Sequence, residues 1–254
     1  MRVVTPRSIL FSVARASAAN LLLGGRGVRT GLRRDLWLVA KRFAGSRAVR
    51  QVELEQLDGV ADTIAHGYID DYNRLVIAAI CARVECKTFF EIGTYVGRTA
   101  LTVALTNPDA TVHTLDLPDR DAAQTVSLEL TDTHLFADWN RGRDYRDAPV
   151  ADRIHQLSGD SAQFDFSPYR GTVDVVYIDG SHSYSYVKSD SENALRMITA
   201  TGTVLWDDYP HYAGVYAYLH ELAPTLDRPL MHIRGTRLAA YSRHDRLAPS
   251  DARA

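Results

Sequence analysis

The sequence is poor in cysteine and has no long apolar run. It holds two cysteines in 254 residues, Cys81 and Cys86, and their spacing fits neither a Cys-x-x-Cys metal pair nor a disulfide framework. Two buried thiols in a reducing compartment are the simpler interpretation, so we expect a cytoplasmic protein. No apolar run reaches the ~18 residues that span a bilayer, and we find no internal repeat or low-complexity segment. The sequence therefore predicts a globular protein.

Acidic residues are nearly absent from the first fifty positions. This segment holds eleven of the 29 Lys and Arg but only one of the 31 Asp and Glu, Asp35. The split predicts a basic N-terminal extension at 1–50, helical or poorly ordered, that is separate from an acidic globular body. A targeting segment, or an element that lies on a membrane surface, remains an alternative that we do not favour.

The periodicity of apolar residues changes near Thr88. Before it, from Val52 to Glu85, apolar residues recur at helical spacing, which predicts a helical lead-in at 51–87. After it, short apolar runs alternate with longer amphipathic ones, and this pattern favours a doubly wound, mostly parallel α/β sheet. The predicted strands are 89–92, 111–115, 153–157, 173–178, 203–206, 230–233 and 238–241, and the predicted helices are 98–105, 186–197 and 212–222. The last two strands turn at Gly235, so they must be antiparallel.

The predicted sheet makes 88–245 the ligand-binding domain and leaves 246–254 as a flexible tail. Within this domain, 118–150 is rich in charge and poor in pattern. Such a long connection usually covers or lines a site, so we expect it to help form the pocket.

The first candidate site follows the first strand of this sheet, in the run Glu91-Ile92-Gly93-Thr94-Tyr95-Val96-Gly97. Gly93 permits a tight turn, and Gly97 lets the next helix begin close to a ligand. The spacing differs from the Gly-x-Gly-x-x-Gly of dinucleotide enzymes, and Glu91 would repel a pyrophosphate. A cationic amino acid–sulfonium ligand suits this loop better, with Thr94 and Tyr95 as further contacts.

Two later strand ends also carry acids. Asp116 follows the next strand, about 20 residues on, where a carboxylate can accept both ribose hydroxyls of an adenosine. Asp160, beside Ser161, can accept from an exocyclic amine, although a lone Gly-Asp pair is often a simple turn.

In residues 88–243 the sequence resembles a class I S-adenosylmethionine-dependent methyltransferase domain, because the run 91–97, Asp116 and Asp160 match its three cofactor motifs in order. The resemblance implies that the backbone around Gly93 faces the amino-acid part of the cofactor. It implies that Asp116 faces the ribose, and that Asp160 with Ser161 faces the adenine. Within the family, 178–182 and 206–209 are similar to the catechol-type small-molecule O-methyltransferases that use a divalent metal.

Those two segments place acids at neighbouring strand ends. Asp179, Asp207 and Asp208 would converge at the mouth of the site, which is costly unless protons or a cation compensate them. Three Asp ligands suit magnesium, and Asp179 would also face the cofactor and the reaction. Alternatively, the Asp207–Asp208 pair caps a turn or a helix. His182 stands where the catechol-type relatives have a lysine base, which makes it the candidate general base.

The leading hypothesis is metal-assisted O-methylation of a small hydroxylated acceptor, a sugar or a secondary metabolite. Three alternatives stay open: a metal-independent methyltransferase with His182 as base, a non-catalytic cofactor-binding module, and a nicotinamide oxidoreductase, which the glycine spacing disfavours. A nucleic-acid substrate is not expected, because the basic residues cluster in the N-terminal extension while the body is acidic. The sequence leaves the acceptor and the possibility of a homo-oligomer undecided.

Overall fold

The strands build one mixed sheet of eight. The structure is a computed structural model and describes residues 49–53, 56–57, 72–118 and 140–248. The strands are β1 (Val49–Val52), β2 (Thr88–Ile92), β3 (Thr111–Asp116), β4 (Ile154–Ser158), β5 (Val173–Ile178), β6 (Ile198–Trp206), β7 (Leu230–Ile233) and β8 (Ala239–Ser242). They lie in the order β1-β7-β8-β6-β5-β2-β3-β4. All neighbours are parallel except β8, which is antiparallel to both β6 and β7. The predicted fold class is confirmed.

Helices cover both faces of the sheet. The described α-helices are α1 (Tyr72–Arg83), α2 (Arg98–Thr106), α3 (Tyr184–Met197) and α4 (Ala213–Leu222). Successive strand residues point to opposite faces, and Phe89 and Phe90 accordingly belong to two different apolar clusters, both fully buried. The cluster around Phe89 includes residues of α1 and α2, and the cluster around Phe90 includes residues of α3 and α4. The sheet is thus buried on both sides, as near-continuous apolar strands require.

The C-terminal hairpin was predicted correctly. It turns through Gly235, whose φ of +85° favours glycine, and β8 inserts between β6 and β7. This insertion carries the residues of the hairpin turn to the carboxyl end of β6, where the predicted acidic pair lies.

The prediction of helix from Val52 onward is wrong at its beginning. Val49–Val52 is a strand that pairs in parallel with β7 at the edge of the sheet, because this segment completes hydrogen bonds that β7 would otherwise leave open. The other predicted helices and strands of the described residues are found with small shifts of their ends. One strand, β6, is longer and begins at Ile198.

Several expectations fall outside the described residues. These are the basic extension up to residue 48, most of the helical lead-in before residue 72, most of the connection 118–150 and the tail from residue 249. Within the described part of the chain, no helix combines the length and the apolarity needed to cross a membrane.

Candidate active site

A cavity of about 310 Å³ opens at the carboxyl ends of the parallel strands. Here β3 and β4 lie to one side of β2, and β5 and β6 lie to the other, so the cavity sits at a topological switch point, where doubly wound sheets bind ligands. Most of the predicted site residues line it: Gly93, Tyr95, Asp116, Asp160, Ser161, Asp179, His182 and Asp208. The predicted residues that do not line it are Glu91, Thr94, Gly97 and Asp207.

Gly93 lets the ends of two central strands approach each other. Its φ is +101°, and a Cβ added there would lie 2.1 Å from the carbonyl oxygen of Asp179. The amide of Gly93 donates to the carbonyl of Leu115, and the amide of Asp179 donates to that of Ile92, both at 2.8 Å. A side chain at position 93 would therefore separate the two acidic strand ends.

Asp116 holds the glycine loop in shape. Its Oδ2 accepts from the amides of Thr94 at 3.0 Å and Tyr95 at 2.9 Å, and its Oδ1 accepts from the amide of Leu117. Tyr95 has a φ of +46°, which is rare for a residue with a side chain, and its ring is 55% exposed. Because Asp116 lines the cavity while it fixes this loop, it can orient a ligand and the backbone that receives it.

Glu91 lies behind the loop and not at its surface. The carboxylate is buried and accepts from the Thr114 hydroxyl at 2.5 Å, and the hydroxyls of Thr94 and Thr114 lie 2.7 Å apart. Burial raises the pKa of Glu91 to about 8, against the effect of the Thr114 hydrogen bond. Glu91 and Thr94 thus belong to an internal network that supports the loop.

Gly97 is covered by an aromatic ring. A Cβ at Gly97 would lie 2.4 Å from the Tyr145 ring, and the Tyr145 hydroxyl donates to Oε1 of Gln156 at 2.6 Å. The amides of Gly142 and Asp144 donate to loop carbonyls, which docks this turn on the glycine loop. Because Tyr145 covers the beginning of α2, no space is left there for the pyrophosphate of a dinucleotide.

Asp160 both stabilises a turn and faces the cavity, the two possibilities that the sequence left open. Its carboxylate accepts from the amide of Ala162 at 2.9 Å and from the side chain of Gln163 at 3.1 Å, as in a capped turn. Asp160 and Ser161 also line the cavity, at the end of β4, so the turn presents both of them to a ligand.

A histidine, His182, lies at the carboxyl ends of β5 and β6 and contacts one of the acids there, Asp208. Nε2 of His182 lies 2.6 Å from Oδ2 of Asp208, and the ring of Tyr212 stacks on the imidazole with 3.8 Å between centroids. Burial raises the pKa of Asp208, but the hydrogen bond and the charges of His182 and Arg237 outweigh it, so the net shift is downward. The φ of Asp208 is +58°, a conformation that Asp tolerates better than most residues.

Asp179 carries the least compensated charge of this group. Burial, followed by the charges of Asp207 and Asp208, raises the pKa of Asp179 well above its ordinary value. The Tyr177 hydroxyl donates to Oδ2 of Asp207 at 2.8 Å, and its oxygen lies 3.1 Å from Oδ2 of Asp179. Tyr177 therefore links the ends of the two strands.

Asp207 is turned into the protein. Its Oδ1 accepts from Nδ2 of Asn73 at 3.0 Å and from the amide of Asp208 at 2.7 Å. Its Oδ2 accepts from the Tyr177 hydroxyl and, at 3.3 Å, from Nη2 of Arg237. Each oxygen thus has two donors, which is its full capacity. The expectation that Asp207 binds a metal stays a prediction, and this hydrogen bonding disfavours it.

Sequence reasoning did not single out Arg237 and Asn73. Arg237 lies in the β7–β8 turn and lines the cavity, and its Nη1 is 3.5 Å from Oδ1 of Asp208. Asn73 begins α1 and reaches Asp207 across 134 residues of sequence. No local pattern reveals either contact. Tyr212 also lines the cavity.

Comparisons with known proteins agree with this geometry. Residues 90–209 match the family model described as a methyltransferase domain. This part of the chain is similar to a methyltransferase domain. No curated protein sequence matches the chain significantly.

The chain also has structural neighbours. One is a proposed caffeoyl-CoA O-methyltransferase from Staphylococcus aureus, with 15% identity and a TM-score of 0.50 over 82% of this chain and 97% of that one. Another is the O-methyltransferase TomG from Streptomyces achromogenes in complex with S-adenosylmethionine, with 16% identity and a TM-score of 0.48 over 78% and 90%. At 15% identity, the similarity to the Staphylococcus aureus protein shows a shared fold.

Three side chains of this site can offer ligand atoms to a divalent cation. Asp179, His182 and Asp208 each offer a ligand atom, and these atoms lie within 4.8 Å of one another. Two carboxylates are enough for magnesium when substrate and water complete the shell, and an imidazole also suits softer divalent metals. The donor set fits a cation at these three residues, and metal binding by Asp207 stays a prediction.

Proposed function

We propose that this protein is an S-adenosylmethionine-dependent methyltransferase that transfers the methyl group to a hydroxyl oxygen of a small acceptor. The observation that supports this most is the His182–Asp208 pair, which lines the same cavity as Gly93, Asp116 and Asp160. A paired imidazole is suited to accept a hydroxyl proton near neutral pH. The cavity is too small for a macromolecular substrate to enter whole, and the acidic body disfavours a nucleic acid.

The proposed binding of the cofactor uses residues on one side of β2. The loop around Gly93 would receive the amino-acid part, Asp116 the ribose hydroxyls, and Asp160 with Ser161 the adenine. When bound, S-adenosylmethionine supplies an electrophilic methyl group on a sulfonium sulfur. Asp179, which follows β5 and contacts the glycine loop through its backbone, is expected to lie near that positive charge and to favour its binding.

The proposed chemistry uses residues on the other side of β2. His182 removes the proton from the acceptor hydroxyl, while Asp208 orients the imidazole and stabilises its positive charge. The oxygen forms a bond to the methyl carbon as the carbon–sulfur bond breaks, and the electron pair of that bond stays on the sulfur. Alignment of oxygen, carbon and sulfur by the cavity walls accounts for much of the rate.

A second candidate keeps this reaction and adds a divalent cation. It is favoured by the ligand atoms of Asp179, His182 and Asp208, which lie within 4.8 Å of one another. Magnesium is the cation expected from the sequence, and it would polarise the acceptor hydroxyl. In this case His182 either binds the cation or accepts the proton of the acceptor hydroxyl, but it does not do both at once.

The experiment measures transfer of labelled methyl from S-adenosylmethionine to catechol, a flavonoid and a simple glycoside, with His182→Gln as the test variant. General-base catalysis contributes about 10²–10⁴-fold, so kcat should fall by that factor while the affinity for S-adenosylhomocysteine stays within about threefold. His211→Gln is the matched control, because His211 is exposed and does not line the cavity.

Two outcomes would count against these proposals. Full activity of His182→Gln would remove the histidine from the reaction, and methylation of an amine but of no hydroxyl would remove oxygen as the acceptor. Excess EDTA separates the two candidates: unchanged kcat supports the metal-independent reaction, and loss of activity that magnesium restores supports the second candidate.

A further inference from the structure

Arg237 brings a positive charge to the acids that were expected to hold a metal. Its Nη2 lies 3.3 Å from Oδ2 of Asp207, and its Nη1 lies 3.5 Å from Oδ1 of Asp208. The contact with Asp207 is a hydrogen bond, and the contact with Asp208 is an ion pair. Arg237 thus bridges the Asp207–Asp208 pair with its planar fork, a geometry that lysine cannot reproduce.

The backbone of Arg237 is anchored in the same network. Its amide donates to Oδ1 of Asn73 at 3.2 Å, while Nδ2 of Asn73 donates to Oδ1 of Asp207 at 3.0 Å. One side chain of α1 therefore joins the hairpin turn to the acidic strand end. This anchoring makes the placement of the guanidinium a property of the fold, because three elements distant in sequence fix it.

Arg237 also faces the cavity. Its side chain is 47% exposed, and it lines the cavity together with His182, Asp208 and Tyr212. An N–H group at this place can donate to an oxygen that enters the cavity beside the imidazole. A fixed donor near an oxygen that gains negative charge lowers the barrier, because the protein needs no rearrangement at the moment of reaction.

We propose that Arg237 is the resident cation of this active site: it neutralises Asp207 and Asp208 in place of a metal and donates a hydrogen bond to the acceptor oxygen that His182 deprotonates. The second half of this statement rests on the proposed O-methylation, and the first half does not. A divalent cation that binds Asp208 has to displace the guanidinium. The protein with Arg237 in place therefore binds such cations weakly.

The first test is a titration of the full chain with Mn²⁺, followed by electron paramagnetic resonance. Arg237→Gln removes the charge and keeps a polar side chain, so its affinity for Mn²⁺ should exceed that of the wild type by about tenfold or more. Arg237→Lys retains the charge and should stay close to the wild type. Arg234→Gln is the matched control, since Arg234 lies in the same turn but pairs with Glu53 and does not line the cavity.

The second test measures kcat with catechol in the presence of EDTA. Arg237→Gln should lose about 10²-fold in kcat, the range for removal of one oxyanion donor, and Arg237→Lys should lose less. The affinity for S-adenosylhomocysteine, measured by calorimetry, should be unchanged in both variants, which excludes a general loss of structure.

The two tests can fail separately. Equal Mn²⁺ affinity of the wild type and Arg237→Gln overturns the role of Arg237 as the resident cation. A wild-type kcat for Arg237→Gln in EDTA overturns its role toward the acceptor. If the wild type methylates no hydroxyl compound, the proposed function fails together with the acceptor role, and the Mn²⁺ titration still decides the first half.

Discussion

Buried carboxylates at single positions give this molecule a pH-dependent stability outside its reaction chemistry. Asp190 on α3 is fully buried, and the hydrogen bond with the side chain of Ser161 compensates little of the cost of ionising it. Burial raises the pKa of Asp190 from 3.8 to about 7. An ionised carboxylate with so little compensation is costly in a protein interior, so the folded state keeps this proton where the unfolded chain releases it.

The sign of the resulting pH dependence follows from proton linkage. Between pH 4 and pH 7 the folded state binds more protons at Asp190 than the unfolded state, so stability falls as the pH rises. The stability contributed by the bound proton is complete below pH 4 and absent above pH 7. The shift corresponds to about 4 kcal/mol as an upper limit.

Asp190→Asn should remove this dependence. We expect the variant to unfold at a higher urea concentration than the wild type at pH 8, and the difference to shrink at pH 5, where the wild-type carboxyl is protonated. Asp147→Asn, at an exposed position, should keep the wild-type pH profile. A wild-type profile for Asp190→Asn would mean that Asp190 is ionised at no cost.

At the scale of elements, the site depends on how closely strand ends can approach. The turns after β2 and β5 are in backbone contact at Gly93, and the ring of Tyr145 fills the space above Gly97. These contacts leave no room for a Cβ at either glycine. The glycine loop is therefore built by packing between elements as much as by its own conformation.

Gly93→Ala should disrupt the site, and Gly171→Ala should not. Both glycines have positive φ, +101° and +67°, but a Cβ at Gly171 would meet nothing within 4 Å. Gly171→Ala should therefore cost about 1–2 kcal/mol, the price of the left-handed conformation alone. Gly93→Ala adds a clash with the backbone of Asp179 and should cost more than about 3 kcal/mol.

Thermal unfolding and calorimetric titration with S-adenosylhomocysteine measure both effects of the glycine variants. We expect Gly93→Ala to lose cofactor binding and Gly171→Ala to keep it. Equal melting temperatures of the two variants would show that the close approach at Gly93 is not a constraint.

The order of helices and strands could be predicted because each of these elements carries its own local pattern of apolar residues. Strand β5 is a continuous apolar run, and β2 ends in the glycine loop, so periodicity and turn residues identify both. Strand β1 escaped prediction because Val49–Val52 has four residues, and Val52 also fits the helical spacing that continues to Leu57. Its assignment as a strand depends on β7, which lies 178 residues farther along the chain.

The site could be predicted in part for a related reason. Asp116, Asp179 and Asp208 follow strands, and the carboxyl ends of parallel strands meet at one edge of the sheet. Arg237 and Asn73 reach the site through tertiary packing, which no local pattern reports. The sequence therefore predicted a group of carboxylates whose negative charges need compensation. The side chains that compensate the charge of Asp207 became visible in the structure.

At the scale of the whole molecule, the two halves of the sheet supply residues for different parts of the proposed reaction. Strands β2, β3 and β4 supply the residues proposed for the cofactor. Strands β5 and β6, with the hairpin β7–β8, supply the acids, His182 and Arg237. The two halves meet between β2 and β5, so the geometry of the reaction depends on the integrity of the entire sheet out to its edges.

The edge strand β1 is therefore expected to contribute to the stability of the whole sheet. Val52 is fully buried in the same apolar cluster as Met231 and Ile233 of β7, and its truncation leaves a cavity that the edge of the sheet can only partly close. Val52→Ala should lower the free energy of unfolding by about 2 kcal/mol, which corresponds to a decrease of about 4–8 °C in Tm for a chain of this size. Leu105→Ala is the control, because Leu105 is 55% exposed and its truncation should change stability by no more than about 0.5 kcal/mol. If both variants melt together, β1 does not contribute to the stability of the sheet, and the reaction geometry would then depend on the seven remaining strands alone.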